Sequence, residues 1–476
     1  MKAGGSFMSG NVRTKSLIRL DSSFKGTKSS GSKGDLSSTQ LIFVGVGGII
    51  GAGFFLGSGL PIHLAGPSVL LAFIIGAVIT GQVVGAITSV AVSHPVSGSF
   101  KVHTDMFIGP FAGYMQGWIY YLASILTISS EATAMAVFIR VWVPQIPTLV
   151  STIVFAAVIL LLNAFGVKNF GHIESLMSVV KIAALVGFIA FVAVLLFHPA
   201  SVAASQGLFK AYGGSWFPHG FSGLMQSMLI VIFSYAGIGV FATAASEIRQ
   251  PKKLDFSAIS TVVILAALYV LSIGLLLTME PWQAMNTNSS PFVDALHHTG
   301  IIWLAYVLNA VILIASFSVM VGAVFSANQI LFSMGESEEA PKFVTKTSKR
   351  GVQYGALIAT TVCIAVSIGI SNLLPANVYN FLISASSFFT FFTWMLILWT
   401  FLRWKKHKEK NRHISKLTFG QPVSTILTMV AIIVLTVYAL MEKDQRIGFY
   451  ASLVFGLCVA ASYLFVMHRK RERLEQ

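Results

Sequence analysis

Gly45-Val46-Gly47-Gly48-Ile49-Ile50-Gly51-Ala52-Gly53 sets five glycines into nine residues of an otherwise apolar stretch. A second cluster, Phe233-Ser234-Tyr235-Ala236-Gly237-Ile238-Gly239, places Gly237 186 residues beyond Gly51. Glycine weakens a helix by about 1 kcal/mol per residue, so each cluster marks a point where a spanning helix unwinds. Unwound backbone at membrane depth survives only where protein or a watery cavity satisfies its N–H and C=O groups. Matched broken helices in two halves of a chain therefore point to a substrate site between repeats, the signature of a carrier.

The rest of the chain supplies the membrane that this reading needs. Its 476 residues are 55% hydrophobic and only 10% charged, with a mean hydropathy of +0.78, far from a soluble domain. At about 20 apolar residues per crossing, about twelve spans are expected, near residues 41–60, 68–92, 110–138, 146–165, 172–197, 221–245, 257–279, 301–334, 354–371, 377–402, 421–441 and 446–467. The net charge of +15 is spread over particular connections rather than one face, which fits bilayer orientation and not nucleic-acid binding. Basic residues precede the first span and follow the sixth, eighth, tenth and twelfth, whereas the stretch from Glu280 to Gly300 has no Lys or Arg. The positive-inside rule then puts both termini in the cytoplasm. Residues 1–38 read as a disordered basic tail without the apolar core of a signal peptide. Cys363 and Cys458 fall inside spans and read as packing residues.

Charged groups within spans are costly and generally mark function. Lys181 lies about nine residues into the fifth span; it reads either as an amine that binds and releases a proton during a transport cycle or as a lysine snorkelling to the interface. Glu131, among Thr127, Ser129, Ser130 and Thr133 in the third span, is a second coupling or substrate-contact candidate, the alternative being an interfacial carboxylate. Glu247, beside Arg249 and ahead of Pro251, suits a cytoplasmic gate or cap. Gly237-Ile238-Gly239-Val240-Phe241-Ala242 matches a dinucleotide fingerprint, but no strand precedes it. The Gly47/Gly51 and Gly53/Gly57 spacings also suit plain helix packing. The eleven histidines lack companion ligands at metal spacing. No G-x-S-x-G elbow, Walker lysine loop or H-E-x-x-H helix is present, so neither an enzyme nor an ATP-driven pump has a foothold.

The chain resembles the amino acid permeases of the amino acid-polyamine-organocation (APC) superfamily from about Leu41 to beyond Tyr463. Gly47 to Phe55 is similar to the family's G-G-x-I-G-[ST]-G-x-F. Further blocks follow in order: Pro95 to Phe100, Gly117-Trp118-Ile119-Tyr120, Leu161-Leu162-Asn163 with Val167 to Gly171, Ser178-Val179-Val180-Lys181, Phe233 to Gly239 with Glu247 and Pro251, and Asn309 to Leu313 with Ala340-Pro341. The resemblance implies an all-α polytopic membrane protein with a LeuT-type five-plus-five inverted repeat and two additional C-terminal helices. It implies a transport core over 39–405, with repeats at about 41–197 and 221–402, and a tail unit over 406–476. The substrate's main-chain groups would meet Ile50, Gly51, Ala52 and Gly53 from one side and Ala236, Gly237 and Ile238 from the other. Phe233, Tyr235, Gly239 and Ser129 join this expected substrate set, either ring of Phe233 and Tyr235 serving as a lid or as packing. Lys181 would stand where sodium-coupled relatives hold an ion, close to Ser316 and Ser318.

Four departures bear on selectivity: Ser89 and Gly239 stand where the family has glutamates, Ala52 replaces a hydroxyl residue, and Gln329 stands where arginine is common. Without those carboxylates a cationic side chain has no obvious partner. The expectation is import of a neutral, apolar, branched or aromatic L-amino acid across the plasma membrane, with a proton as coupling ion and no other cofactor, no metal, no nucleic acid and no obligatory protein partner. An exchanger without net proton coupling and a non-transporting amino acid sensor are the alternatives. Pro375 and Asn377 suit an outer gate or an ordinary turn.

Overall fold

A computed structural model describes residues 37–94, 99–164, 170–197, 215–245, 248, 250–348, 351–372, 378–407 and 413–475. The tail up to residue 36, Pro95 to Gly98, Val167 to Asn169, Glu247, Arg249, Pro375 and Asn377 lie outside the described residues.

The first apolar stretch begins at a polar stop. Ser37 accepts the Gln40 N–H while the Gln40 side chain accepts the Ser37 N–H, a reciprocal capping box that starts α1 (Ser38–Ile49). The glycine cluster then ends it: Ile50 and Gly51 are extended, at φ −73°, ψ 106° and φ −143°, ψ −160°. Helix resumes as α2 (Ala52–Phe55) and α3 (Gly59–Ala65). The second span, α4 (Val69–Ser93), returns the chain to the side where α1 began.

The third to fifth spans are α6 (Pro110–Ile139), α7 (Thr148–Ala164) and α8 (Phe170–Phe197). The sixth is broken like the first, into α9 (Gly220–Phe233) and α10 (Ile238–Ala245), with Ser234 to Gly237 as tight turns between them. Continuous helices α11 (Leu254–Met279), α13 (Ile302–Glu336), α14 (Tyr354–Asn372) and α15 (Val378–Lys406) complete the second half. Two further spans follow, α16 (Val423–Ala439) and α17 (Lys443–Glu475). Among the described residues seven helices are long and apolar enough to cross a bilayer and five shorter apolar ones accompany them. Burial follows function: the window in α15 is 83% buried and that in α17 only 11%, so the last helix faces lipid while α15 lies at the centre.

Packing surrounds the two broken spans with continuous helices. α6 makes its most extensive contacts with α13 and α15, while α1 lies between α8, α10 and α11. The two broken spans thus sit against one another with α6, α13 and α15 around them.

Two short helices between spans are additions to the sequence reading. α12 (Pro291–His298) caps the side opposite the N-terminal segment, its preceding Ser290 hydroxyl donating 2.8 Å to the Phe55 carbonyl. α5 (Ser99–Phe107) lies on the basic side, where Lys101 pairs with Glu339 at 2.7 Å and Thr104 meets Thr400 at 3.0 Å. His103 bonds the His94 carbonyl at 2.8 Å, and burial pushes its imidazole down to about 4.

Candidate substrate and proton site

Breaking a helix frees peptide groups that must find partners. At the first break the Ala52 N–H donates 3.0 Å to a carboxylate oxygen of Glu131, a residue of α6 that is 2% exposed. On the other flank the Lys181 ammonium, 0% exposed, donates to the Gly47 carbonyl. The reach depends on close helix approach: a Cβ on Gly47 would lie 1.6 Å from the Ser178 hydroxyl, so only glycine lets α1 and α8 touch there. Tyr379 donates to the Ala52 carbonyl at 2.9 Å, and Ser234 to the Gly53 carbonyl at 2.9 Å. At the second break the Tyr269 hydroxyl donates 3.0 Å to the Ser234 carbonyl. The two breaks meet directly, a Cβ on Gly237 falling 2.4 Å from the Gly48 carbonyl oxygen.

The charged residues form a buried series. Glu131 lies at the first break, with Ser316 alongside. Lys181 lies on Gly47 and 3.8 Å from Glu174, another α8 residue, which is 1% exposed. Ser318 donates to both Glu174 oxygens, at 2.6 and 2.7 Å. Of the two α13 serines expected beside Lys181, Ser318 thus serves Glu174, whereas the buried Ser316 hydroxyl makes no hydrogen bond among the described residues. Lys181 does not snorkel, and Glu131 is not interfacial.

A cavity of about 70 Å³ opens beside the breaks and runs toward the basic side. Gly53, Phe233, Ala236, Gly237, Ile238, Gly239 and Glu131 line it, together with Tyr120, Thr127, Thr390, Thr393 and Trp394. Phe233 lies over Gly53, where a Cβ would meet its ring at 2.8 Å. Gly239 is occupied space rather than a lost carboxylate: a Cβ there would lie 2.1 Å from the Tyr120 hydroxyl. Ile50, Gly51 and Ala52 stand behind the cavity wall at the break itself, next to Glu131.

Two expected substrate contacts are placed elsewhere. Tyr235 turns away from the cavity into the α4–α11 contact, donating 3.1 Å to the Phe73 carbonyl and packing on Tyr269, because its ring satisfies its hydroxyl more readily in that buried aromatic group. Ser129 points along its own helix, bonded 2.9 Å to the Ile125 carbonyl. Ser89, where a carboxylate was noted as missing, accepts the Ser415 N–H at 2.9 Å and so anchors the connection after α15. Among the described residues no group of His, Cys, Asp and Glu is placed to hold a metal ion. Glu174, Tyr269 and Tyr379 are contributors that sequence reasoning did not name, and Tyr120 was named only within a block of the third span.

Among the described residues, twelve apolar helical spans, two of them broken at one buried site with an ammonium and two carboxylates around the breaks, have the form of a polytopic membrane protein. The sequence profile of the amino acid permeases matches residues 40–475, and the chain belongs to that family. It is 30% identical over 437 residues to the aromatic amino acid transport protein AroP of Escherichia coli O6:H1, covering 91% of this chain and 95% of AroP. It is 30% identical over 446 residues to the gamma-aminobutyric acid permease of Bacillus subtilis, covering 93% and 95%. The crystal structure of MhsT in complex with L-phenylalanine shares the fold at a TM-score of 0.57 and 14% identity, over 86% of this chain and all of MhsT. The chain is accordingly a multi-pass membrane protein of amino acid transport.

Proposed function

We propose that this permease imports a neutral, apolar or aromatic L-amino acid across the plasma membrane by proton symport, with the basic side facing the cytoplasm. The observation that carries the reading is the Glu131 carboxylate on the Ala52 N–H. A carboxylate already fills the seat that an amino acid's own carboxylate requires, because free peptide N–H groups at a break attract anions. Substrate and Glu131 therefore compete. A proton arriving on Glu131 removes its charge and weakens its hold on Ala52, and the substrate carboxylate takes over the N–H groups of the first break. The α-ammonium then meets carbonyls released where the helices end. The remaining lining supports an apolar side chain: Ile49, Phe233, Ile238, Val319, Trp394 and Ile397 border the cavity. The relatedness to AroP, an aromatic amino acid transport protein, favours the same class.

Lys181 couples this exchange to the helix. While charged, its ammonium holds Gly47 and so fixes α1 against α8; when it gives up its proton that tie weakens and α1 is freed to tilt. The test is uptake into proteoliposomes. An acidic exterior is expected to drive accumulation of a neutral amino acid in the wild type, and Lys181→Ala to lose that accumulation while retaining counterflow. Uptake indifferent to the gradient but dependent on internal amino acid identifies an exchanger instead. Ligand binding without any flux identifies a sensor.

A further inference from the structure

We infer that Glu174 is the inner proton station of this carrier, receiving the Lys181 proton and passing it toward the cytoplasmic side. The inference rests on the proton-symport reading above and adds a residue that the broken-helix chemistry does not use.

Glu174 and Lys181 are seven residues apart on α8, hence two turns, about 10 Å, along one helix face. A helix tilts its side chains toward its own N-terminus, so Lys181 leans back toward Glu174 and away from the midplane. The observed 3.8 Å separation closes that gap. Both groups are almost completely buried, at 0% and 1% exposure. An isolated carboxylate in such a place is very costly, and one kept there is paired and hydrogen-bonded. Ser318 meets that need at 2.6 and 2.7 Å, holding both carboxylate oxygens toward the lysine. Among the described residues, the helices packed on α8 bring no rival acceptor. α1 carries no titratable group; α11 brings only Asp255, near its start, and Tyr269; α13 brings only Tyr306 and Glu336, both far from Ser318; α6 brings Glu131 on the other side of Lys181.

The transfer conserves charge. A Lys181 ammonium and a Glu174 carboxylate become a neutral amine and a neutral carboxylic acid as one N–H bond breaks and one O–H bond forms. The pair stays neutral overall throughout, so no net charge is stranded in a dry interior. The neutral amine loosens its tie to Gly47. As the amine takes the next proton from Glu131, Glu174 releases its own to water on the cytoplasmic side, so that the pair remains neutral. Direction is built in, because Glu131 stands at the substrate break and Glu174 lies nearer the start of α8.

The experiment compares full-length wild type, Glu174→Gln, Glu174→Asp and Ser318→Ala in proteoliposomes, using radiolabelled phenylalanine, a pH gradient and, separately, counterflow. Glu174→Gln is expected to lose gradient-driven accumulation while keeping counterflow, Glu174→Asp to recover part of it, and Ser318→Ala, with every charge retained, to slow it several-fold. Accumulation by Glu174→Gln at the wild-type level overturns the inference. Equal loss of accumulation and counterflow in Glu174→Gln and Ser318→Ala also overturns it, since that marks a structural role. Failure of the symport reading has a different signature: the wild type itself shows no response to the gradient.

Discussion

The break at Ile50 and Gly51 is held by charged groups in addition to hydroxyls, and the break at Ser234 to Gly237 by hydroxyls and close backbone contact. Around the first, Glu131 takes the Ala52 N–H and Lys181 takes the Gly47 carbonyl. Around the second, Tyr269 takes the Ser234 carbonyl, and Gly237 abuts the Gly48 carbonyl. Similar glycine clusters therefore make different devices. A charge-assisted hydrogen bond is about twice as strong as a neutral one and loses that extra strength when the charge is removed by gain or loss of a proton. Neutral hydroxyl contacts have no such switch. In the proposed symport cycle the first break is the part that protons would open, and the second would serve as a fixed wall of the substrate site.

Substitutions that crowd each break separate the two roles. Gly51→Leu carries the largest expected effect. A Cβ at that position lies 2.7 Å from a Glu131 oxygen and 2.8 Å from Val319, and overpacking of this kind costs about 1–3 kcal/mol before the carboxylate is displaced. Binding by thermal shift or calorimetry is expected to be lost; wild-type affinity in this variant would remove the first break from the site. Gly237→Ala is expected to act less, by roughly 10-fold in affinity, for a strain of about 1.4 kcal/mol. Its Cβ meets backbone oxygen at 2.4 Å, so the two spans must part slightly. The comparison is sharpened by asking how each defect responds to protons: the Gly237→Ala loss should be equal with and without a pH gradient. A loss that the gradient rescues would assign proton control to the second break as well.

Much of this was legible in the chain itself. The breaks follow from glycine clusters inside apolar stretches, and Glu131 and Lys181 stand out because charges within such stretches are rare. Glu174 was not legible for the opposite reason. It falls near the expected start of the fifth span, where a carboxylate is unremarkable, and only the fold shows it buried under Ser318. Tyr269 and Tyr379 were hidden because a tyrosine in an apolar helix reads as packing until the peptide group that it caps is known. Ser316 and Ser318 were placed near Lys181 as a pair, but two residues along a helix turn by about 200°. They therefore face different ways, and only Ser318 bonds a carboxylate, that of Glu174. The short helices α5 and α12 fall below the length that a count of spanning segments registers.

The competition between Glu131 and the substrate carboxylate for the Ala52 N–H is tested most directly by counting protons during binding. Calorimetric titration of the detergent-solubilised carrier with phenylalanine, repeated in buffers of different ionisation enthalpy, reads that number. The account predicts uptake of about one proton per amino acid bound by the wild type when Glu131 starts ionised, and none by Glu131→Gln. Saturable binding with no proton uptake in the wild type, at any pH at which it binds, would contradict it.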